Sequence, residues 1–370
     1  MNITAWSALS PYGHTAADFT TGVRQRRATA APVPGAHGQL GCLVPLFEPR
    51  TALGRKGTRH MNRVTALAVT AVGAVLDHLD HTEGGGQRGL DTALVLGTTT
   101  GSVQSMTDFT RSSLTGERPY DVEPGVIPNS VMNCAAAQCA IRHRIQGPNT
   151  TLAAGRTAAL LGLLYARRLL RAGRARSVLC GGAEEYTTAR AWLEARSRAA
   201  TPPPPAGAPR LPGEGPPPSA AAFALLGEGA AVLRLTPADM TTAAPPLATV
   251  LAVETRHTPE GTDPAATVRA TVTEALARSG VAADDVWAAT GTGLDPAETR
   301  ALDALFSRQV CGQLPTLGLL LGDTGAASAA LQLAAVVASA GQAPGGHAVI
   351  TSVDGQGVAA AAVLRMGEGV

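Results

Sequence analysis

Gly147-Pro148-Asn149-Thr150-Thr151-Leu152-Ala153-Ala154-Gly155-Arg156-Thr157-Ala158-Ala159-Leu160 is the stretch on which the reading of the chain turns. A Gly-Pro turn releases a short β-branched run. A small-residue elbow at Ala153 to Gly155 then hands the chain to a helix predicted to run to about Arg171. An elbow of this kind points one side chain at a pocket beside a helix N-terminus, and Arg156 stands at that helix start. Such a place stabilises negative charge and lowers the pKa of a thiol. Arginine inverts that requirement: it is always protonated, has no lone pair for attack, and opposes the dipole it sits on. An arginine at this elbow cannot act as a nucleophile.

Upstream of the elbow, residues 1–9 read as a strand and are followed by a long irregular segment to Leu53. A helix from Val64 to about Asp80 is capped by Asn62. Thr92 to Gly97 is a continuous apolar run, as expected of a strand buried on both faces. Ser105 to Ser113 and the alanine-rich Asn133 to Ile141 read as helices. Downstream come strands at Ser177 to Gly182 and Ala230 to Leu235, separated by Thr201 to Ser219, where nine of nineteen residues are proline. That run has few ladder donors and no core formers, so it reads as an extended surface loop, either a tolerated insertion or a polyproline segment for a partner.

The second half repeats the first. Strand, helix, strand and helix fall at Leu247 to Glu254, Ala265 to Ser279, Val286 to Thr290 and Pro296 to Phe306. Gly325-Ala326-Ala327-Ser328-Ala329-Ala330-Leu331 opens a small-residue helix parallel to the one at Gly155, and strands at His347 to Val353 and Ala359 to Arg365 close the repeat. Matching order and spacing imply an internal duplication, with the boundary near Thr241 to Pro246, and two packed sheets around shared central helices.

Composition narrows the function classes. Of the 370 residues 45% are hydrophobic, 16% charged and 3% aromatic, so small side chains must pack the core at close backbone approach. The net charge of +2 and the lack of a long or aromatic-interleaved basic run argue against a nucleic-acid partner. Met1 to Trp6 lacks the pattern of a signal peptide, and no apolar stretch reaches the roughly 20 residues of a membrane span; a cytoplasmic protein is expected. Cys42, Cys134, Cys139, Cys180 and Cys311 form no CxxC pair and read as buried thiols, with a catalytic Cys134 or Cys139 as the sharper alternative. The histidines show no ligand spacing, and neither a metal nor a cofactor is expected.

In order and spacing, several motifs resemble the β-ketoacyl synthases of the thiolase superfamily, which condense acyl chains on acyl carrier protein. Leu9-Ser10-Pro11-Tyr12-Gly13 is similar to the family's opening turn, Arg59 to Arg63 to its Arg-x-x-Asp-Arg helix start, and Gly181-Gly182-Ala183-Glu184-Glu185 and Gly227-Glu228-Gly229-Ala230 to its two glycine-rich signatures. The resemblance implies an α/β thiolase fold: duplicated βαβαβαββ halves, residues 1–240 and 247–370, in a layered αβαβα arrangement. It also implies that the catalytic positions are replaced. The family's cysteine falls at Arg156, its first histidine at Thr290, its second at Asp323 and its lysine at Gly318, while Asp295 and Glu298 are retained. Claisen condensation needs a thiolate to carry the acyl chain and two imidazoles to stabilise the enolate. This set supplies neither.

A catalytically silent member of this kind is similar to the chain length factor of a type II polyketide synthase, which pairs with an active ketosynthase α subunit, completes its acyl tunnel and meets acyl carrier protein through the complex. The resemblance assigns tunnel positions to Thr100, Met106, Phe109 and Val126, with Phe109 as floor or as ordinary core. It assigns a two-fold interface to Thr150, Thr151, Leu152 and Ala153 together with the helix bearing Asn133, Cys134 and Gln138. The alternatives are a stand-alone thiolase-fold acyltransferase or decarboxylase, and a scaffold protein. One further expectation is physical. The resemblance implies that Arg156 and Asp323 converge in the family's catalytic pocket, where a buried guanidinium and a buried carboxylate each need the other, so the two should pair, with Asp354 as the next acceptor and the partner subunit as the competing one.

Overall fold

The structure, a computed structural model, describes residues 1–36, 39–83, 89–200, 225–240 and 244–368. The first half comprises β1 (Asn2–Leu9), α1 (Ala16–Gln25), β2 (Ala31–Pro32), β3 (Leu40–Cys42), α2 (Pro49–Leu53), α3 (Arg63–Glu83), β4 (Thr92–Thr98), α4 (Val103–Thr115), α5 (Cys134–His143), β5 (Asn149–Ala153), α6 (Ala158–Arg171), β6 (Ser177–Glu184), α7 (Thr188–Ala200), β7 (Leu226–Gly227) and β8 (Gly229–Thr236). The second comprises β9 (Ala248–His257), α8 (Pro264–Ser279), β10 (Val286–Thr290), α9 (Pro296–Leu305), α10 (Arg308–Gln313), α11 (Leu317–Leu321), α12 (Ser328–Ala338), β11 (His347–Val353) and β12 (Val358–Met366). The proline-rich Thr201 to Ser219 lies outside the described residues. Among the described residues no helix is long and apolar enough to cross a membrane.

Side-chain parity along the strands builds the layers. In β4, Leu94 and Leu96 pack outward with Leu67, Val72 and Leu76 of α3, while Val95 turns inward onto Leu160 and Leu163 of α6. In β11, Val349 joins the outer cluster with Val268 and Val272 of α8, whereas Ile350 meets the inner one with Leu331 and Val336 of α12. Helices α6 and α12 thus form the middle of five layers, αβαβα, and the parity rule of strands does the sorting.

The two expected sheets are in fact continuous. The order is β10-β11-β12-β9-β1-β8-β6-β4-β5, and the halves join where Asn2 and Ile3 of β1 pair with Thr249 and Ala248 of β9. At the other end β5 pairs in parallel with β4, Ala153 opposite Thr98, and is the last strand. The segment expected to be irregular up to Leu53 instead holds α1 and α2. Helix α1 is started by a capping box in which Thr15 accepts from the Asp18 amide and Asp18 accepts in return from that of Thr15.

Both middle helices begin alike. Gly155 and Gly325 each have φ +49, a conformation that favours glycine, and each opens one tight turn before α6 and α12. Close approach explains the glycine-rich signatures: a Cβ on Gly182 would lie 2.1 Å from the Ala326 carbonyl oxygen, and one on Gly227 would lie 1.9 Å from that of Leu321.

Candidate functional site

Strand β5 delivers Arg156 to the start of α6, and the turn after α11 delivers Asp323 to the start of α12. The two side chains meet. Arg156 Nη2 donates to Asp323 Oδ2 at 2.6 Å, and Nε lies 3.2 and 3.3 Å from Oδ2 and Oδ1. The Arg156 side chain is 22% exposed and that of Asp323 only 5%. Burial works against the Asp323 carboxylate, but the charge and hydrogen bonds of Arg156, the Arg190 charge and the Gly325 N–H outweigh it and hold the group well below the usual carboxylate range. Arg156 is held protonated by the same pair against its own burial. Asp354, the alternative acceptor, is occupied: Oδ1 accepts from the Gln356 and Val358 amides at 3.0 and 2.9 Å.

The Asp323 backbone is clamped as firmly as its side chain. Its N–H donates to Leu225 O at 2.8 Å and its carbonyl accepts from Gly227 N–H at 3.0 Å. Arg190, 5% exposed, donates Nη2 to that same carbonyl at 2.9 Å and Nη1 to the carbonyls of Glu185 and Gly227 at 2.8 Å each. One buried guanidinium thereby ties both glycine-rich signatures to the Asp323 turn. Sequence reading missed Arg190, because three backbone carbonyls from distant segments leave no linear motif.

Around the pair the remaining positions are closed. Thr290 is 3% exposed, and its hydroxyl is engaged with the carbonyls of Gly291 and Pro315. Gly318 donates its N–H to Thr292 O at 2.9 Å, and a Cβ there would lie 2.3 Å from that oxygen, so no side chain fits on this backbone. Glu298 is buried beneath the site, accepting from the Thr292 amide at 3.0 Å and from the hydroxyls of Thr292 and Thr351. Burial pushes its carboxyl up to about 8, against the Thr292 bonds and with help from Asp295.

Cys134, the alternative nucleophile and an expected interface residue, points inward instead. Its Sγ lies 3.4 Å from Asn129 Oδ1 and 3.9 Å from Thr65 Oγ1, and burial pushes the thiol up. A small buried thiol packed under a helix is a core residue. Burial raises Cys139 and Cys180 as well, the latter to about 12. Among the described residues no cluster of metal-ligating side chains occurs.

A cavity of about 470 Å³ lies between the start of α3, α4 and the Pro124–Ser130 turns. Phe109 and Val126 both line it, together with Ser105 and Ser112 on the same stripe of α4. Thr100 and Met106 do not line it. Thr100 is exposed in the turn before α4, and Met106, 42% exposed, sits on the neighbouring edge of the helix. The expected tunnel set therefore divides into a lining pair and an outward pair. At the floor of the cavity Glu185, 1% exposed, accepts from Ser102 Oγ at 2.7 Å and from the Val64 amide at 3.0 Å. Arg63 is pinned beside it by a fork on Glu228, 2.6 and 2.7 Å. Of the expected interface positions, Asn133 and Ala153 are exposed, Thr150, Thr151 and Leu152 are half-buried, and Gln138 lines a smaller cavity of about 180 Å³.

The model of the family described as beta-ketoacyl synthase, N-terminal domain, matches residues 2–239. The chain belongs to the β-ketoacyl synthase family, and the five-layered architecture is its thiolase fold. A chain of the structure described as the ishigamide ketosynthase/chain length factor is 42% identical, with a TM-score of 0.87 and 99% of each chain covered. A chain of the complex of a ketosynthase with its chain length factor from Xenorhabdus doucetiae shares the fold, at a TM-score of 0.72 and 15% identity over 99% of this chain and 97% of that one. The 3-oxoacyl-[acyl-carrier-protein] synthase 2 of Synechocystis sp. is 26% identical over 198 residues, 50% of this chain and 45% of that protein. The matched stretches thus span less than half the length of the curated relatives.

Proposed function

We propose that the chain is a non-catalytic chain length factor that pairs with an active ketosynthase of a type II polyketide synthase and sets product length during condensation on acyl carrier protein. The observation that carries this is the buried Arg156–Asp323 fork at the start of α6, the position that the resemblance gives to the family's nucleophile. A guanidinium cannot carry an acyl group, an aspartate repels an enolate, and Gly318 has no room for a side chain. The alternative of a stand-alone acyltransferase needs a thiolate, and the inward-facing Cys134 does not offer one.

Pairing is supported by the edge of the sheet. β5 ends the sheet order, and on the chain between β4 and β5 Met106, Ile127, Val131, Met132 and Ile141 are 42 to 72% exposed. An apolar edge of this extent calls for a partner, and an obligate interface of more than about 2,000 Å² is expected. Residues 1–240 and 247–370 are the two ketosynthase-like halves, the complex works in the cytoplasm, and no cofactor takes part. Co-expression with a cysteine-bearing ketosynthase tests the reading: the two chains should co-purify one to one. A monodisperse monomer at micromolar concentration that ignores the ketosynthase would refute it.

A further inference from the structure

Helix α7 turns Arg190 inward and presents Thr188, Trp192, Ala195 and Arg196 outward, on the stripe where polar side chains belong. Trp192 is 62% exposed and its neighbour Leu193 48%, whereas Trp6 and Trp287 are half-buried against the core. The Arg196 guanidinium lies 5.2 Å from the Trp192 ring centroid and covers one face of the indole. The other face is open, and among the described residues the indole N–H has no acceptor.

The course of the chain says what meets this face. α7 ends at Ala200, yet the next strand, β7, starts beside the opposite end of the helix, where Arg190 Nη1 donates to the Gly227 carbonyl at 2.8 Å. The connection from Thr201 to Ala224 therefore has to return past the length of α7, about 18 Å at the rise of an α-helix. It opens with Pro202-Pro203-Pro204-Pro205, and nine of the nineteen residues from Thr201 to Ser219 are proline. Proline-rich sequence favours polyproline II, whose carbonyls have no internal hydrogen bonds and whose rings pack on aromatic side chains.

We propose that the outward stripe of α7 is the docking site for this chain's own proline-rich segment, with Pro202 to Pro205 packed on the open face of Trp192 and on Leu193, and a segment carbonyl accepting from the indole N–H. Four residues of polyproline II span about 12 Å, which is the rise of α7 from Trp192 to Ala200. The proline run is then the cover of an exposed tryptophan, neither a tolerated insertion nor a ligand for another protein. The inference stands apart from the chain length factor reading, since the face and the segment belong to one chain.

Hydroxyl-radical footprinting of the co-purified pair, read at Trp192 by mass spectrometry, tests it. A side chain 62% exposed should be oxidised within about twofold of its rate in the urea-denatured chain, and a docked one at least about fivefold more slowly. The wild type should show the slow rate. A variant combining Pro202→Ser, Pro203→Ser, Pro204→Ser and Pro205→Ser, with an unchanged melting point, should show the fast one. A fast rate in the wild type overturns the proposal whether or not the variant folds. A slow rate that survives in the folded variant also overturns it, because something other than the prolines, such as the ketosynthase, then covers the tryptophan. The footprint can be read on this chain with or without its partner, so a failure of pairing would refute the function and leave the docking to be decided by its own result.

Discussion

Replacing Arg156 with Met leaves the Asp323 carboxylate buried with the Gly325 N–H at 2.9 Å and the charge of Arg190. Breaking a buried pair costs about 3–5 kcal/mol, and those two remaining partners place this case at the lower end, about 3 kcal/mol. Asp323→Asn keeps an acceptor for Gly325 but strands the guanidinium. Because that side chain is 22% exposed and reaches water, the cost falls to about 2 kcal/mol. The double variant leaves no unpaired charge, so it should cost about 2 kcal/mol less than the sum of the singles. With an unfolding entropy of about 2.1 cal/mol/K per residue, a 370-residue chain loses about 4 °C for 3 kcal/mol. Calorimetry of the co-purified complex at fixed concentration and neutral pH reads all four corners. Additivity within about 0.5 kcal/mol would show that the pair contributes no coupling and would refute the reasoning. The sign with pH follows from the depressed Asp323 carboxyl: its stabilisation is complete above the ordinary value of 3.8 and is lost as the pH falls towards the folded value. The gap between wild type and Arg156→Met should therefore narrow below about pH 4.

Glu298 works in the opposite direction. Its folded value, about 8, lies above the ordinary 4.5, so the stability it contributes is complete below pH 4.5 and is lost as the pH rises towards 8. Thermal melts of Glu298→Gln should exceed wild type by several degrees at pH 8.5 and match it near pH 4.5; an equal shift at both would contradict the raised carboxyl. Gly318→Ala places a Cβ 2.3 Å from Thr292 O and should cost about 3 kcal/mol or more, seen as lost soluble protein or a depressed melting point. Val126→Trp occupies part of the cavity of about 470 Å³ and should shorten the products of the complex, measured by mass spectrometry, with condensation retained; unchanged product length would count against a tunnel role.

Much of the fold was legible because it rests on local signals. The fully buried β4 is a continuous apolar run, and both middle helices are announced by a glycine before small residues. The pairing of Arg156 with Asp323, 167 residues apart, followed from the family resemblance, which brings both positions into one pocket, and from each group's need for the other. What was missed is long-range. The β1–β9 junction rests on two residue pairs, and Arg190 is recognisable only by the carbonyls of three segments that meet around it. Helix α1 was a local signal passed over, since Thr15-Ala16-Ala17-Asp18 spells its capping box. That Phe109 rather than Met106 faces the cavity could not be read from spacing, because the edge of α4 that meets it is set by where the Pro124–Ser130 turns pack.

The central claim is that this chain shapes condensation without carrying the acyl group. Intact-mass spectrometry of the co-purified pair, quenched during turnover with an acyl thioester and malonyl-loaded carrier protein, tests it directly. All acyl mass should appear on the ketosynthase and none on this chain. An acyl adduct on this chain, at Cys134 or elsewhere, would contradict the account.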